Sequence, residues 1–178
     1  MILRCTAKVL DLLGTRPSAL VDGEPSDNDW YANLLWVDRR KCLLLAHAGT
    51  LFSVFAPDVR KANLLPIGPV VVGLIQRELR AEDLPLDCLG QLDPKSVRLA
   101  KTASRRVLGY LNEIARYCEY AIAASGGLQR SDIATLNREL RRELHLSRQQ
   151  PGYFVPIDLV IEAIKPTGTT PSNLRIVS

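Results

Sequence analysis

Residues 30–56 read WYANLLWVDRRKCLLLAHAGTLFSVFA. Three apolar runs, WYANLLWV, CLLLAH and LFSVFA, are separated by the polar turns 38–41 and 48–50, a pattern typical of an antiparallel meander of three strands. The middle run, 42–47, is apolar at nearly every position, whereas a strand with one face in water alternates. We therefore expect a sheet whose two faces are both covered by helices.

Shorter predicted strands lie on either side of the meander in the sequence. Residues 1–5 predict a strand that leads into a helix, with Thr6 as its N-cap and Gly14 as its stop. Residues 96–101 predict an edge strand, because their charged side chains discourage pairing with another chain. These elements predict an α+β fold, in which helices cover a small antiparallel sheet and the C-terminal half is helical.

Hydrophobic periodicity predicts the helices of that half. Apolar residues recur every three or four positions over 105–124, where we expect a helix with a wide buried stripe. Weaker patterns predict a helix over 69–82 that starts with proline, and another over 132–144 with Ser131 as its N-cap. Residues 153–164 are apolar and fit either a strand or a helix.

The composition is that of one globular domain. The chain has 178 residues, of which 47% are hydrophobic and 24% charged. We expect a single domain over 1–164 and a flexible tail over 165–178, which is rich in Pro, Thr and Ser. No apolar run reaches the roughly 18 residues that a membrane span requires. Charges also interrupt residues 1–14, so we expect no membrane or export segment and a cytoplasmic location.

No motif in the sequence is typical of an enzyme. The chain has no P-loop, dinucleotide-binding, nucleophile-elbow or zincin motif, and it has only 2 histidines. Its cysteines lie 37, 46 and 30 residues apart, without the paired spacing of a zinc or redox site. We predict no catalytic residue, no metal and no cofactor, and an enzyme of unrecognised type ranks below a binding protein.

Positive charge is concentrated in one part of the chain. Residues 95–148 hold 11 Lys and Arg against 5 Asp and Glu, whereas residues 1–94 hold 10 against 12 and the remainder is balanced. Such an excess attracts polyanions, although a solvated helix face shows the same pattern without binding anything. Two clusters of cations are therefore candidate sites for an anion or for nucleic acid.

The first cluster precedes the longest predicted helix. It comprises Lys101, Thr102, Ser104, Arg105 and Arg106. The helix dipole disfavours cations in the first turn by roughly 0.3–1 kcal/mol each, whereas free amides and cations together stabilise an anion there. The segment predicts either a site for phosphate or for a partner's carboxylate, or cations that pair within the fold with acids such as Glu78, Glu82 or Asp93.

The second cluster is Arg39, Arg40 and Lys41, in the turn between the first two strands of the meander. Cations at a hairpin tip can reach the backbone or groove of a nucleic acid, although hairpin tips are polar by default. Trp30 and Trp36 lie nearby in sequence. Strand alternation places both on one face, where packing in the core is their expected role.

Several ordered blocks of sequence resemble a family of bacterial domains of unknown function. The blocks are Trp30–Leu34, Asp38–Leu44, Lys101 and Thr102 with Arg105, Val107–Gly109, and Asn112. The similarity runs from Cys5 to about Leu144. Because members of the family are small stand-alone proteins without an established activity, the resemblance implies a bacterial cytosolic protein and carries over no catalytic residue.

The chain departs from that family pattern at two positions. Many members have histidine in place of Tyr31, which weakens any acid–base or metal role at this strand. They have a small polar residue in place of Arg106, so the basic start of the long helix is partly individual to this chain.

Two functional hypotheses of different class follow. The first is a non-enzymatic binding module whose basic surface, Arg39–Lys41 with Lys101–Arg106, binds nucleic acid or another polyanion. The same surface also suits an acidic partner. The second is a protein-interaction or self-associating component, with residues 153–164 as the apolar contact. Steep salt dependence of binding favours the first, and a salt-insensitive dimer favours the second.

Overall fold

The meander predicted from residues 30–56 forms the centre of a larger sheet. A computed structural model describes residues 1–146 and 153–165. The strands of its main sheet are β1 (Ile2–Cys5), β2 (Trp30–Val37), β3 (Arg40–His47), β4 (Ser53–Ala56) and β5 (Arg98–Lys101). They lie in the order β4-β3-β2-β1-β5, and β3 is antiparallel to both β2 and β4. The meander and the edge position of the 96–101 strand are thus confirmed.

The sheet is mixed, whereas the sequence predicts antiparallel strands. Strand β1 runs parallel to β2 on one side and to β5 on the other. A parallel pair needs a connection long enough to return the chain to the same end of the sheet. A helix and the loop 14–29 provide that length between β1 and β2.

Six helices accompany the strands in the described residues, and four of them lie where the sequence predicts a helix. They are α1 (Ala7–Leu13), α2 (Lys61–Leu64), α3 (Ile67–Ala81), α4 (Arg105–Ala124), α5 (Ile133–Leu140) and α6 (Pro156–Ile164). A small antiparallel ribbon joins β6 (His145–Leu146) to β7 (Tyr153–Phe154). The α+β class and the helical C-terminal half are confirmed.

Helices pack on both faces of the sheet, as the apolar middle strand predicts. Alternate residues of β2 enter different cores, so that Trp30 and Ala32 face one side and Tyr31 and Leu35 the other. The first core contains side chains of α1, α2, α3 and α6, and the second contains side chains of α4 and α5. All of Cys42–His47 is buried.

Two of the predicted helices have ends that differ from the observed ones. Helix α5 begins after Asp132, whose carboxylate accepts the N–H groups of Ala134 at 3.0 Å and Thr135 at 3.2 Å, and so Asp132 replaces Ser131 as the N-cap. The same helix ends at Leu140. Helix α3 begins at Ile67, before the proline at 69 that the sequence places first.

A side chain of α5 forms hydrogen bonds with the backbone at the outer edge of β4. The Asn137 amide accepts the Phe55 N–H at 2.6 Å and donates to the Phe55 carbonyl at 3.0 Å. This contact pairs backbone groups that an edge strand otherwise leaves open to another chain.

Arg141 joins the two helical layers around that edge. Its buried guanidinium donates to Glu78 of α3 at 3.0 Å and to Glu82, just after α3, at 2.8 Å. Both acids thus pair with the end of α5 and not with the start of α4. Burial raises the pKa of Glu82, but hydrogen bonds from Arg142 and Arg141 outweigh burial and leave this pKa below its ordinary value.

The apolar element 153–164 is partly used inside the fold. Its helix α6 inserts Ile157 and Val160 into the first core, while Ile161 and Ile164 remain partly exposed. Apart from Lys165, the predicted tail 165–178 lies outside the described residues.

Candidate functional site

An open groove of about 530 Å³ lies beside the tip of the β2–β3 hairpin. It is lined by Leu12, Trp36, Arg39, Arg40, Lys41, Asp58, Val59, Arg60 and Lys61. Of these nine residues, five are lysine or arginine and one is acidic. The three cations predicted at the hairpin therefore meet two further cations, and positive charge is in clear excess.

The shape of the hairpin tip sets the direction of its cations. Val37 pairs with Arg40, which leaves a turn of two residues, Asp38 and Arg39. Both turn residues have positive φ, 48° and 62°, as the tight turns that match the twist of a β-hairpin require. Arg39 consequently projects from the tip and is exposed.

The segment after β4 supplies the other wall of the groove. The Val59 N–H donates to the Lys41 carbonyl at 2.7 Å and holds residues 57–61 beside the hairpin. Arg60 is the N-cap residue of α2 and Lys61 is its first residue. The register of the meander already contains this proximity, because Ala56 pairs with Leu43 and residues after 56 must then pass Lys41. Sequence reasoning missed Arg60 and Lys61, although this signal was available.

Asp58 orders part of the groove without neutralising it. Its carboxylate lies 3.0 Å from Arg40 and 3.8 Å from Arg60. These pairs are partly or largely exposed, where an ion pair contributes at most about 1 kcal/mol. A ligand phosphate can therefore compete for the same guanidinium groups at a low free-energy cost.

The two tryptophans have different surroundings, and the prediction that both pack in the core is wrong for Trp36. Alternation does place them on the same face of β2, where Trp30 is fully buried. Trp36 lies near the end of the strand, lines the open groove, and is 58% exposed. The Nζ atom of its cross-strand neighbour Lys41 lies 5.4 Å from the centroid of the indole.

A second cleft of about 260 Å³ lies on the other side of the hairpin tip. It is lined by Asp38, Arg40, Gly126, Gly127, Leu128, Gln129 and Arg130. Arg40 lines both the groove and this cleft. Arg40 thus connects the two depressions, and Arg130 adds a further cation to the second.

The cluster at the start of α4 is partly committed to contacts within the fold. Ser104 caps the helix, since its hydroxyl accepts the Val107 N–H at 3.4 Å. The Arg106 guanidinium donates to the Ala48 carbonyl and lies 3.8 Å from the Asp27 carboxylate. Lys101 and Arg105 are exposed and Thr102 is partly buried. Arg106 is therefore paired with an acid of the same chain.

The structure does not bring the two predicted clusters together. Helix α4 has 20 residues and is about 30 Å long. At its start Arg106 contacts Ala48, and just after its end the Leu128 N–H contacts the turn residue Asp38. The hairpin cluster and the α4-start cluster consequently lie at opposite ends of this helix.

Neither histidine lies in the groove. His47 is buried, its Nδ1 atom is 3.0 Å from the Thr50 hydroxyl, and burial lowers its pKa to about 4. His145 is also buried, with Nδ1 2.9 Å from a Glu113 carboxylate oxygen. Within residues 1–146 and 153–165, no group of three or more His, Cys, Asp or Glu is arranged to hold a metal ion. None of the helices in these ranges has the length and apolar character needed to cross a membrane.

Comparison with known proteins identifies a family and no described activity. The sequence model of a family described as a domain of unknown function, DUF6933, matches residues 2–159. This match extends beyond the span of similarity expected from the sequence blocks at both ends. A search of the curated proteins finds no match to the chain.

Proposed function

This chain belongs to the DUF6933 family, a domain of unknown function, and we propose that it is a non-enzymatic module that binds the phosphates of nucleic acid in the groove beside the hairpin tip. The observation that supports this proposal is the convergence of Arg39, Arg40 and Lys41 with Arg60 and Lys61 around one open depression. These cations come from two segments that the fold brings together, so they do not simply reflect one solvated helix face.

Electrostatics favours a polyanion as the occupant. Like charges held around one groove repel one another, and an incoming row of phosphates relieves that repulsion and releases condensed counterions. Arginine, which supplies three of the five cations, presents a planar fork that matches two phosphate oxygens. Because the groove is open, it suits a polymer that passes through it better than a small molecule that must be enclosed.

A charge-matched pair of variants tests the proposal. Arg39→Gln with Arg60→Gln removes two cations from the groove, and Lys101→Gln with Arg105→Gln removes two exposed cations at the far end of α4. Fluorescence anisotropy with a labelled mixed-sequence oligonucleotide gives the dissociation constant of each protein over a range of salt concentrations. We expect the groove variant to bind more weakly and to flatten the salt slope by up to about two units.

The control variant distinguishes the groove from the total charge of the protein. We expect it to bind nearly as the parent does, because its substitutions lie about one α4 length from the groove. Equal losses in the two variants would assign binding to net charge alone. Absence of salt-dependent binding by the parent would overturn the proposed function.

The second hypothesis is self-association or partner binding through residues 153–164. The fold itself buries part of this apolar surface. Ile157 and Val160 are buried in the chain's own core, whereas Tyr153, Ile161 and Ile164 remain exposed. This hypothesis stays a prediction, and the mass of the protein in solution at high and low salt tests it.

A further inference from the structure

An exposed tryptophan, Trp36, is unusual in the lining of a groove that binds only phosphate. Its indole is 58% exposed, whereas the other residues of β2 on its face, Trp30, Ala32 and Leu34, are all buried. An exposed scattered apolar residue needs no explanation. A large flat ring placed among five cations does, because such a ring adds nothing to the attraction for a bare polyphosphate.

More than half of the Trp36 side chain is exposed, so the ring is accessible to an aromatic ligand. Lys41 Nζ lies 5.4 Å from the indole centroid and covers one face of the ring. A nucleobase can stack on the opposite face while its phosphates reach the neighbouring guanidinium groups. An aromatic platform beside a basic track is how proteins bind single-stranded nucleic acid without reading its sequence.

We infer that the ligand of the groove is a single-stranded nucleic acid, one base of which stacks on Trp36 while its backbone follows the cations across the hairpin tip. This inference rests on the proposed function and narrows it. Bases of a duplex are stacked on one another and cannot reach the indole without being unpaired, so the geometry discriminates against a duplex and against polyanions that lack bases.

The second cleft indicates the path of the strand beyond the groove. Arg40 lines both depressions, and Arg130 lines the second one together with the Gly126-Gly127 turn. A strand that has a base on Trp36 can therefore pass Arg40 and place a later phosphate near Arg130. A very short oligonucleotide occupies the groove alone, whereas a longer one also occupies the cleft.

Three ligands test the stacking step: an oligothymidylate of about 15 nucleotides, a mixed-sequence duplex, and inorganic polyphosphate of comparable length. We expect the oligothymidylate to bind most tightly and to quench the tryptophan emission that Trp36→Leu removes. Trp36→Leu should weaken binding of the oligothymidylate about 10-fold and leave polyphosphate binding unchanged. Trp36→Phe should restore most of the lost affinity, because an aromatic face is retained.

A second substitution tests the path of the strand. Arg130→Gln should weaken binding of the oligonucleotide of about 15 nucleotides several-fold and leave one of about 4 nucleotides unaffected. Arg116→Gln removes the same charge from an exposed position within α4 and should leave both affinities as in the parent. A length-independent loss in Arg130→Gln would contradict the path across the hairpin tip.

The outcomes for the groove and for the ligand class are separable. If polyphosphate and duplex bind as tightly as the single strand, and Trp36→Leu has no effect on any of them, the single-strand inference is wrong although the groove still binds phosphate. If no ligand binds in a salt-dependent manner, both the inference and the proposed function fail.

Discussion

The Asp38 carboxylate accepts the backbone N–H of Leu128 at 2.6 Å. This hydrogen bond connects the tip of the β2–β3 hairpin to the turn after α4, 90 positions along the chain. Gly127 permits the contact, since its φ is 106° and a Cβ atom there would lie 2.9 Å from the Asp38 carboxylate oxygen. The contact anchors the tip that carries the cations to the turn that lines the second cleft.

Removing this anchor should destabilise the protein. In Asp38→Ala the Leu128 N–H loses a charged acceptor, and alanine must adopt the positive φ of 48°. We expect a loss of about 2–3 kcal/mol in the free energy of unfolding, measured by urea denaturation. Asp38→Asn should lose less than about 1 kcal/mol, because asparagine tolerates positive φ and keeps an oxygen acceptor. Equal stability of the alanine variant and the parent would contradict a structural role for the contact.

Arg39 should be a residue whose replacement improves stability and impairs binding. Its φ of 62° is unfavourable for arginine and is the conformation for which glycine is preferred in this type of hairpin turn. We therefore expect Arg39→Gly to raise the free energy of unfolding by about 0.5–1 kcal/mol and to weaken oligonucleotide binding.

Arg39→Gln separates the two effects of that substitution. It removes the charge but keeps the unfavourable backbone conformation, so it should weaken binding by a similar factor without a gain in stability. If Arg39→Gly bound oligonucleotides as the parent does, the strained arginine would have no function in this groove.

The sequence predicts those parts of the fold that depend on local periodicity. The stripe over 105–124 has the same bounds as α4, because a helix buries residues three and four apart whatever their distant neighbours are. The parallel pairing of β1 with β2 and β5 depends on contacts between distant segments. No local pattern encodes such pairing, and the prediction of a wholly antiparallel sheet went beyond the signal.

The candidate site was predicted in part for the same reason. The cluster Arg39–Lys41 is visible as a run of cations, but its union with Arg60 and Lys61 follows from strand register. Alternation correctly gives the face of β2 on which Trp36 lies. It does not indicate how far along the strand the helices cover the sheet. Trp36 is exposed because it lies beyond the part that they cover.

Helix α4 should contribute much of the stability of the second core. Leu111 and Ile114 are fully buried against the sheet in that core. We expect Leu111→Ala and Ile114→Ala each to lower the free energy of unfolding by about 2–5 kcal/mol, as large-to-small changes in a packed core do. Arg116→Ala, at an exposed position of the same helix, should change it by less than about 0.5 kcal/mol. Midpoints of denaturation that match the parent in both core variants would refute this role.

The stability of the fold should decrease in mild acid because of His47. This side chain lies at the end of β3, where its Nδ1 atom accepts the Thr50 N–H at 3.3 Å. Burial lowers its pKa to about 4 and outweighs the nearby Asp27 and Asp29, which act in the opposite direction. The unfolded chain, with an ordinary histidine pKa near 6.5, therefore takes up the proton first as the pH falls.

The sign and the window of the effect follow from these two pKa values. Above about pH 6.5 both states are neutral at His47 and its contribution to stability is complete. Between about pH 6.5 and 4 the unfolded state alone is protonated, so the free energy of unfolding falls by up to about 3 kcal/mol. Below about pH 4 both states are protonated and the decline from this group ends.

His47→Asn isolates this contribution from that of the carboxylates, which titrate over part of the same range. The asparagine oxygen can accept the Thr50 N–H as Nδ1 does, but it does not titrate. Urea denaturation of parent and variant at several pH values between about 7 and 4 gives the difference in their free energies of unfolding. We expect the difference to change in favour of the variant as the pH falls through this window. A difference that is independent of pH would show that His47 takes up its proton equally well in the folded chain.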